Sequence, residues 1–320
     1  MKVLVADKFE QSGLDGIQSL GVQLDYQPDL KDEALRDAVH SGETEILVVR
    51  STKVPANVIE GSKLKLIIRA GAGYNTIDVD AATASGVYVA NCPGKNAAAV
   101  AELAFGLMIA ADRRIPDNVT EFRAGRWSKK GFGKARGLAG RTLGLIGMGM
   151  IGKEMVKRAK AFDMPVLCYS RWMTADDAKD AGVELAPSPE DLAARSDVVS
   201  VHTSLNPATK GLLGESFFSA MQPGSIFINT SRAEVVDQTA LEKVLNEGKV
   251  RAGLDVFEDE PATPEGEYSG SLKSQSAAYC THHIGASTDQ AQEAVADETV
   301  RIVDEFIKTG TPPNAVNSPS

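Results

Sequence analysis

Residues 141–162, RTLGLIGMGMIGKEMVKRAKAF, constrain the fold more than any other stretch. An apolar strand pattern runs into Gly147, Gly149 and Gly152. These open an amphipathic helix with Ile151, Met155, Val156, Ala159 and Phe162 on one face, and a new strand pattern begins at 165. G-x-G-x-x-G alone is a weak signal. Between a strand and a helix of a βαβ unit it is the fingerprint of a dinucleotide-binding domain. Gly147 permits the tight turn, Gly149 lets the backbone approach a pyrophosphate, and Gly152 allows close helix–strand packing. With Met150 and Ile151 they form a helix N-terminus, whose unpaired N–H groups favour an anion.

The same rhythm fills the chain. Strand patterns at 2–7, 22–26, 45–50, 65–71 and 87–92 alternate with helical stretches such as 30–41 and 78–85. A second series follows at 141–147, 165–170, 197–203, 225–231, 252–257 and, more weakly, 277–283. Such alternation predicts parallel sheets covered by helices on both faces, hence two doubly wound α/β units. Residues 96–114 form the longest helical pattern and the natural bridge between the units. A final helix over roughly 287–308 precedes a Pro/Asn/Ser tail without periodicity. If that helix returns to the first unit, the second unit is an insertion, and a cleft between them suits a ligand.

A net charge of −9 argues against nucleic acid and anionic membranes as partners. No 18-residue apolar span and no secretory signal occur, and three scattered cysteines (92, 168 and 280) suit a reducing compartment. The expectation is a cytoplasmic protein without a membrane segment. No His/Cys/carboxylate grouping has metal-ligand spacing, so no metal is expected.

After the second strand of such a unit, an acid normally binds the adenosine ribose and repels a 2′-phosphate. Here VLCYSRW, residues 166–172, offers Ser170 and Arg171 instead. A hydroxyl and a guanidinium suit the 2′-phosphate of NADP. The alternative is a solvated Arg171 with the ribose held otherwise, which leaves NAD or both cofactors open.

Three further stretches lie where parallel strands end: INTSRAEVVD with Arg232, GLDVFEDEP with Glu260, and THHIGAST with His283. Oxidising a 2-hydroxy acid needs a base for the hydroxyl proton, and histidine serves at neutral pH. A carboxylate can orient the imidazole and an arginine can grip the substrate carboxylate. With VRSTKV, IIRAGAG, AELAFGLM, GLIGMGMIG and SVHTSLNPATKGLLG, these stretches resemble the D-2-hydroxyacid dehydrogenase family, and within it the D-3-phosphoglycerate dehydrogenases of serine biosynthesis.

The resemblance implies a Rossmann cofactor domain, 97–285, inserted into a flavodoxin-like substrate domain, 1–96 and 286–320. It implies Arg232 as substrate-binding arginine, Glu260 as carboxylate partner and His283 as acid/base, with His282, His40 and His202 incidental. Asp255 resembles the aspartate near the nicotinamide carboxamide. Thr203, Thr230, Ser231, Gly285 and Ala286 resemble further cofactor contacts. The family commonly dimerises through its cofactor domain, so a homodimer is expected.

For the substrate, Arg50, Ser51, Thr52 and Lys53 can grip a phosphate. Arg69, the backbone of Ala70, Gly71, Ala72 and Gly73, and Asn96 complete the expected substrate set. This favours 3-phosphoglycerate and 3-phosphohydroxypyruvate. Two alternatives stay open: a glyoxylate or hydroxypyruvate reductase, and a dinucleotide-sensing binding protein. The loop GYNTID departs from the family's G-x-D-N-[IV]-D at Asn75 and Thr76, which leaves the substrate open. The chain also stops where longer relatives continue into a regulatory domain, so serine feedback through such a domain is not expected.

Overall fold

The computed structural model describes residues 1–261 and 265–319. The chain divides into two compact units, Met1–Asn96 with Ser287–Ser320, and Ala97–Ala286.

In the first unit, β1 (Lys2–Val5), β2 (Gln23–Tyr26), β3 (Thr44–Val49), β4 (Leu66–Arg69) and β5 (Tyr88–Asn91) form one sheet in the order β2-β1-β3-β4-β5. All its strand pairs are parallel. Both faces are covered, so the strands are almost continuously apolar. Val3, Val5, Ile46, Val48 and Ile68 pack with Ile302 and Phe306 on one face. Leu4, Leu47, Val49 and Ile67 pack with Leu35, Val39 and Ile59 on the other.

The helix Asp289–Thr309, capped by Thr288 at its start and by left-handed Gly310 at its end, covers the first of these faces. It lies close to the helix Gln11–Ser19. A Cβ on Gly13 would come 3.0 Å from that of Ala296, and one on Gly16 would come 2.7 Å from Val300. Glu298, almost fully buried, gathers Lys95, Arg301 and Asn314. Its hydrogen bond from Arg301 outweighs burial and holds its carboxyl down at about 2.

In the second unit, β6 (Leu143–Ile146), β7 (Val166–Tyr169), β8 (Glu184–Leu185), β9 (Val198–Val201), β10 (Ser225–Asn229), β11 (Val250–Leu254) and β12 (Ala278–Cys280) form a parallel sheet in the order β12-β11-β10-β9-β6-β7-β8. The order reverses between β6 and β9, the switch point at which doubly wound sheets bind ligands. The helix Ala97–Arg113 belongs wholly to this unit. It packs so closely on the sheet that a Cβ on Gly253 would lie 2.8 Å from Leu107. Its buried Ala101, Ala104 and Ala111 suit that approach.

Three features differ from the sequence reading. The longest helix among the described residues is Asp289–Thr309, of 21 residues, against 17 for Ala97–Arg113. The edge strand β8 was not foreseen; two residues carry no readable period. The tail is tied down despite its composition. Val316 donates to Val89, and Asn317 accepts from Val89 N–H and donates to Thr83 and Val87.

Candidate active site

The glycine turn sits at the switch point. Gly147 has φ +102°, and a Cβ there would lie 2.6 Å from the His202 carbonyl oxygen and 3.0 Å from Thr203 N. Only glycine fits. Gly152 is equally confined, its Cβ position 2.6 Å from the Gly147 carbonyl. Gly149 differs: a Cβ there meets nothing within 4 Å. It is the N-cap of the helix Met150–Ala161 and supplies no side-chain cap. The opening amides of that helix therefore face open space beside exposed Met150 and half-buried Ile151.

Around this turn, Ser170 at the end of β7 is half-buried and Arg171 is exposed, its guanidinium 5.9 Å from the Trp172 ring. Thr203, half-buried, follows β9. Thr230 and Ser231, buried, follow β10; Ser231 donates to Asn229, while the buried Thr230 hydroxyl has no partner among the described residues. A phosphate cradle that a Cβ would fill, with a spare buried hydroxyl on a neighbouring strand end, fits a dinucleotide.

His202, which the sequence gives no role, is buried. Its Nε2 is 2.8 Å from Ser200 Oγ, and burial pushes the imidazole down to about 3. It stays neutral, and its carbonyl walls the glycine turn.

The acid–base pair lies in the same unit. His283 Nδ1 is 2.8 Å from Glu260 Oε2, with side chains 53% and 31% exposed. The Phe257 amide donates to the other Glu260 oxygen at 3.1 Å. Burial alone would raise the Glu260 carboxyl. The hydrogen bond and charge of His283, the Phe257 amide and the Arg232 guanidinium outweigh it and hold the carboxyl below its usual range. His283 has φ +54° and Asp259 φ +62°. Left-handed backbone costs an L-residue about 1–2 kcal/mol, so the surrounding loop must hold these turns.

Asp255, at the end of β11 and buried, supplies that restraint. It accepts from Thr281 Oγ1 at 2.6 Å, Ile284 N at 2.9 Å and Gly285 N at 2.8 Å. The sequence reading assigned Asp255 to the cofactor. Its observed partners are the loop on both sides of His283, ending beside half-buried Ala286. Arg232, half-buried, follows β10 and donates to the Ser231 carbonyl at 2.6 Å. His282 is exposed beside the pair and takes no part in it.

In the first unit the expected substrate residues sit at the ends of β3 and β4, apart from Asn96, which follows β5. Arg50 is half-buried and Ser51 and Lys53 are exposed, but Thr52 is buried. The Thr52 hydroxyl donates to Asp7, so it does not join the others in facing a ligand. Ala70 is buried and its N–H is spent on Val49. Gly71 has φ +148°, and the Arg69 guanidinium lies across it: a Cβ there would fall 1.6 Å from Nη1. Ala72, Gly73 and Asn96 are half-buried. Asp7 and Thr281 escaped the sequence reading. Asp7 closes a strand at the ligand end of a parallel sheet, which is a usable signal.

Among the described residues no three His, Cys, Asp or Glu side chains are placed to hold a metal, and no helix is long and apolar enough to cross a membrane.

Residues 105–285 match the family described as D-isomer specific 2-hydroxyacid dehydrogenase, NAD binding domain. A D-3-phosphoglycerate dehydrogenase of Methanocaldococcus jannaschii is 37% identical across 100% of this chain, which spans 60% of that protein's length. A hydroxypyruvate reductase of Thermotoga maritima is 43% identical over 81% of this chain and 83% of its own. The crystal structure of a glyoxylate reductase from Paecilomyes thermophila superposes with a TM-score of 0.88 at 30% identity, covering 99% of this chain and 98% of that one.

Proposed function

The chain belongs to the D-isomer specific 2-hydroxyacid dehydrogenase family, and from that premise we propose that it is an NAD(P)-dependent oxidoreductase interconverting 3-phosphoglycerate and 3-phosphohydroxypyruvate in serine biosynthesis. The hydrogen-bonded His283–Glu260 pair carries this reading, because it supplies the proton-transfer group in the same unit as the dinucleotide cradle.

When bound, the nicotinamide accepts or supplies the hydride. Gly147, Gly149, Met150, Ile151 and Gly152 would hold its pyrophosphate, with Thr203, Thr230 and Ser231 beside them. In the oxidising direction His283 takes the hydroxyl proton; in the reducing direction it gives a proton to the carbonyl oxygen. Glu260 accepts from Nδ1–H, which fixes the ring and leaves Nε2 as the atom that carries the transferred proton. Arg232 holds the substrate carboxylate with parallel hydrogen bonds. Arg50, Ser51 and Lys53 hold the distal phosphate, with Arg69 adding charge.

A second reading is a glyoxylate or hydroxypyruvate reductase. Two observations favour it: Thr52 is withdrawn from the phosphate set, and Arg171 stands where NAD enzymes place an acid. Reduction is the usual direction for NADPH. One activity matrix decides: NADH and NADPH against 3-phosphohydroxypyruvate, hydroxypyruvate, glyoxylate and pyruvate. Equal kcat/KM with and without the phosphate would end the phosphoglycerate reading. Turnover with any of them ends the third reading, a dinucleotide-sensing binding protein.

For the cofactor we propose a preference for NADPH, with Ser170 and Arg171 on the 2′-phosphate. Arg171→Ala is expected to raise KM for NADPH about 10- to 100-fold, the loss of one or two charge-assisted hydrogen bonds. NADH should be unaffected. A parallel loss with both cofactors, or with neither, contradicts the assignment.

We further propose that the protein is cytoplasmic and works as a homodimer. The helix Ile115–Arg123 buries none of its residues, and Phe122 and Trp127 are 67% and 80% exposed. Each aromatic ring offers about 150–250 Å² to a partner. Replacing Phe122 and Trp127 together with serine should convert a dimer in sedimentation velocity to a monomer. A wild-type chain that sediments as a monomer removes the proposal.

A further inference from the structure

At the mouth of the first sheet, the strand order β2-β1-β3-β4-β5 reverses between β1 and β3. This is the switch point at which a flavodoxin-like sheet binds an anionic ligand, commonly through the amides of the loop after a strand. Here the loop after β3 is Arg50–Lys53. Three of its four amides, those of Arg50, Ser51 and Thr52, are already used, and the acceptor comes from the loop after β1. One oxygen of the Asp7 carboxylate accepts from Arg50 N at 2.6 Å, Ser51 N at 3.2 Å and Thr52 N at 3.1 Å. The other accepts from Thr52 Oγ1 at 2.9 Å. Asp7 and Thr52 are 8% and 5% exposed. The Arg50 guanidinium also reaches back over the β1 loop, to the Lys8 carbonyl at 3.5 Å.

The carboxylate thus occupies the cradle of three amides that an external phosphate would otherwise take. Two consequences follow from the charge and the geometry. The turn is fixed from beneath, so Arg50 and Ser51 leave it in one direction rather than several. Those three amides are also closed to the substrate's anionic end, which shifts its binding at this turn towards side chains. Lys53 and Ser51 are exposed and Arg50 is half-buried, so these three remain to do it.

We propose that Asp7 is a positioning residue for substrate recognition: it presents the Arg50–Lys53 turn to the distal anion of the substrate and keeps the amides of Arg50, Ser51 and Thr52 out of the contact. The proposal rests on the assignment of that turn to substrate binding.

Asparagine and alanine in place of Asp7 separate this role from general stability. The Asp7→Asn side chain would keep an oxygen on the three amides and turn its NH2 towards Thr52, whose hydroxyl can reverse and accept. That substitution removes the charge and keeps the turn. Asp7→Ala leaves three enclosed N–H groups without an acceptor, and the turn relaxes. Steady-state kinetics with 3-phosphohydroxypyruvate and hydroxypyruvate, alongside the Kd of the reduced cofactor by fluorescence, give the test.

Asp7→Ala should raise KM for the phosphorylated substrate about tenfold or more. Its kcat and cofactor Kd should stay within about twofold of wild type, because the second unit is untouched. Asp7→Asn should restore KM to within about threefold. An unchanged KM in Asp7→Ala overturns the proposal. So does an Asp7→Asn variant as impaired as Asp7→Ala, since the charge rather than the scaffold would then be what the substrate reads. If Asp7→Ala does not fold, Asp7→Asn together with Thr52→Val decides: KM must rise in the double variant and not in Asp7→Asn alone, and any other pattern overturns the proposal. Failure of the underlying substrate assignment looks different, because wild type itself would then treat the phosphorylated and unphosphorylated acids alike.

Discussion

His283→Asn is expected to lower kcat by about 10³-fold in both directions, the usual worth of a positioned acid/base group. Asparagine is the informative replacement because the backbone at 283 is left-handed, with φ +54°. Asparagine tolerates that region better than most residues. An alanine would combine loss of the proton carrier with strain in the loop that Asp255 holds. The amide of asparagine can also donate to Glu260, so the carboxylate is not left alone. The variant changes one property, the ability to take and return a proton. The cofactor Kd should therefore remain within about threefold of wild type, and the loss should appear in kcat. A loss below about tenfold would show that the proton travels by another group. The exposed His282 next to it provides the control: its replacement should leave the pH profile where it was.

The second large effect is at Gly149. Gly149→Asp should reduce cofactor affinity by at least about 100-fold while the melting temperature holds or rises. The two halves have one cause. Gly149 has φ −77° and ψ −160°, which any residue adopts, and a Cβ there meets nothing within 4 Å. Aspartate is among the best N-cap residues and would accept from the opening amides of the helix Met150–Ala161, stabilising it over glycine by a few tenths of a kcal/mol. The same carboxylate would place a negative charge where the pyrophosphate is expected, and a lost pair of charge-assisted hydrogen bonds alone is worth about 3 kcal/mol or more. Titration of protein fluorescence with NADH and NADPH, beside a thermal melt, measures both. Retained affinity in a folded variant would move the cofactor away from this turn. The analogous Gly147→Ala would not discriminate. Its Cβ collides with the His202 carbonyl, so it disturbs the fold whether or not a ligand binds.

What the sequence shows of this molecule is what its local periods encode. The central strands of both sheets are visible because each is apolar on both faces. The glycine turn is visible because strand, glycines and helix are contiguous. Histidine, glutamate and arginine of the candidate site are visible only as an ordered set, since each sits alone at a strand end. The misses are of another kind. β8 has two residues, Glu184 and Leu185, and no period can be read from two. Asp7 lies 43 to 45 residues from its partners, and no local pattern announces a contact at that distance. Thr52 reads as one member of a polar run; the structure turns it inward. Asp255 is legible by its place in a motif, but its three donors are not, because they are decided by how the 281–285 loop folds back.

The sheet of the first unit is built from the N-terminal part of the chain, but one of its faces is covered by Asp289–Thr309 and its last strand is tied to Val316 and Asn317. During synthesis, that cover emerges only after the 190 residues of Ala97–Ala286. At about 5–20 residues per second the delay is roughly 10–40 s. Through that interval Val3, Val5, Ile46, Val48 and Ile68 lack their partner helix, whereas the second unit is contiguous and has all of its strands as soon as it leaves the ribosome. The inserted unit can therefore complete its fold first. The earlier-made sheet waits for the later-made helix, and the face that Asp289–Thr309 covers stays without that cover meanwhile.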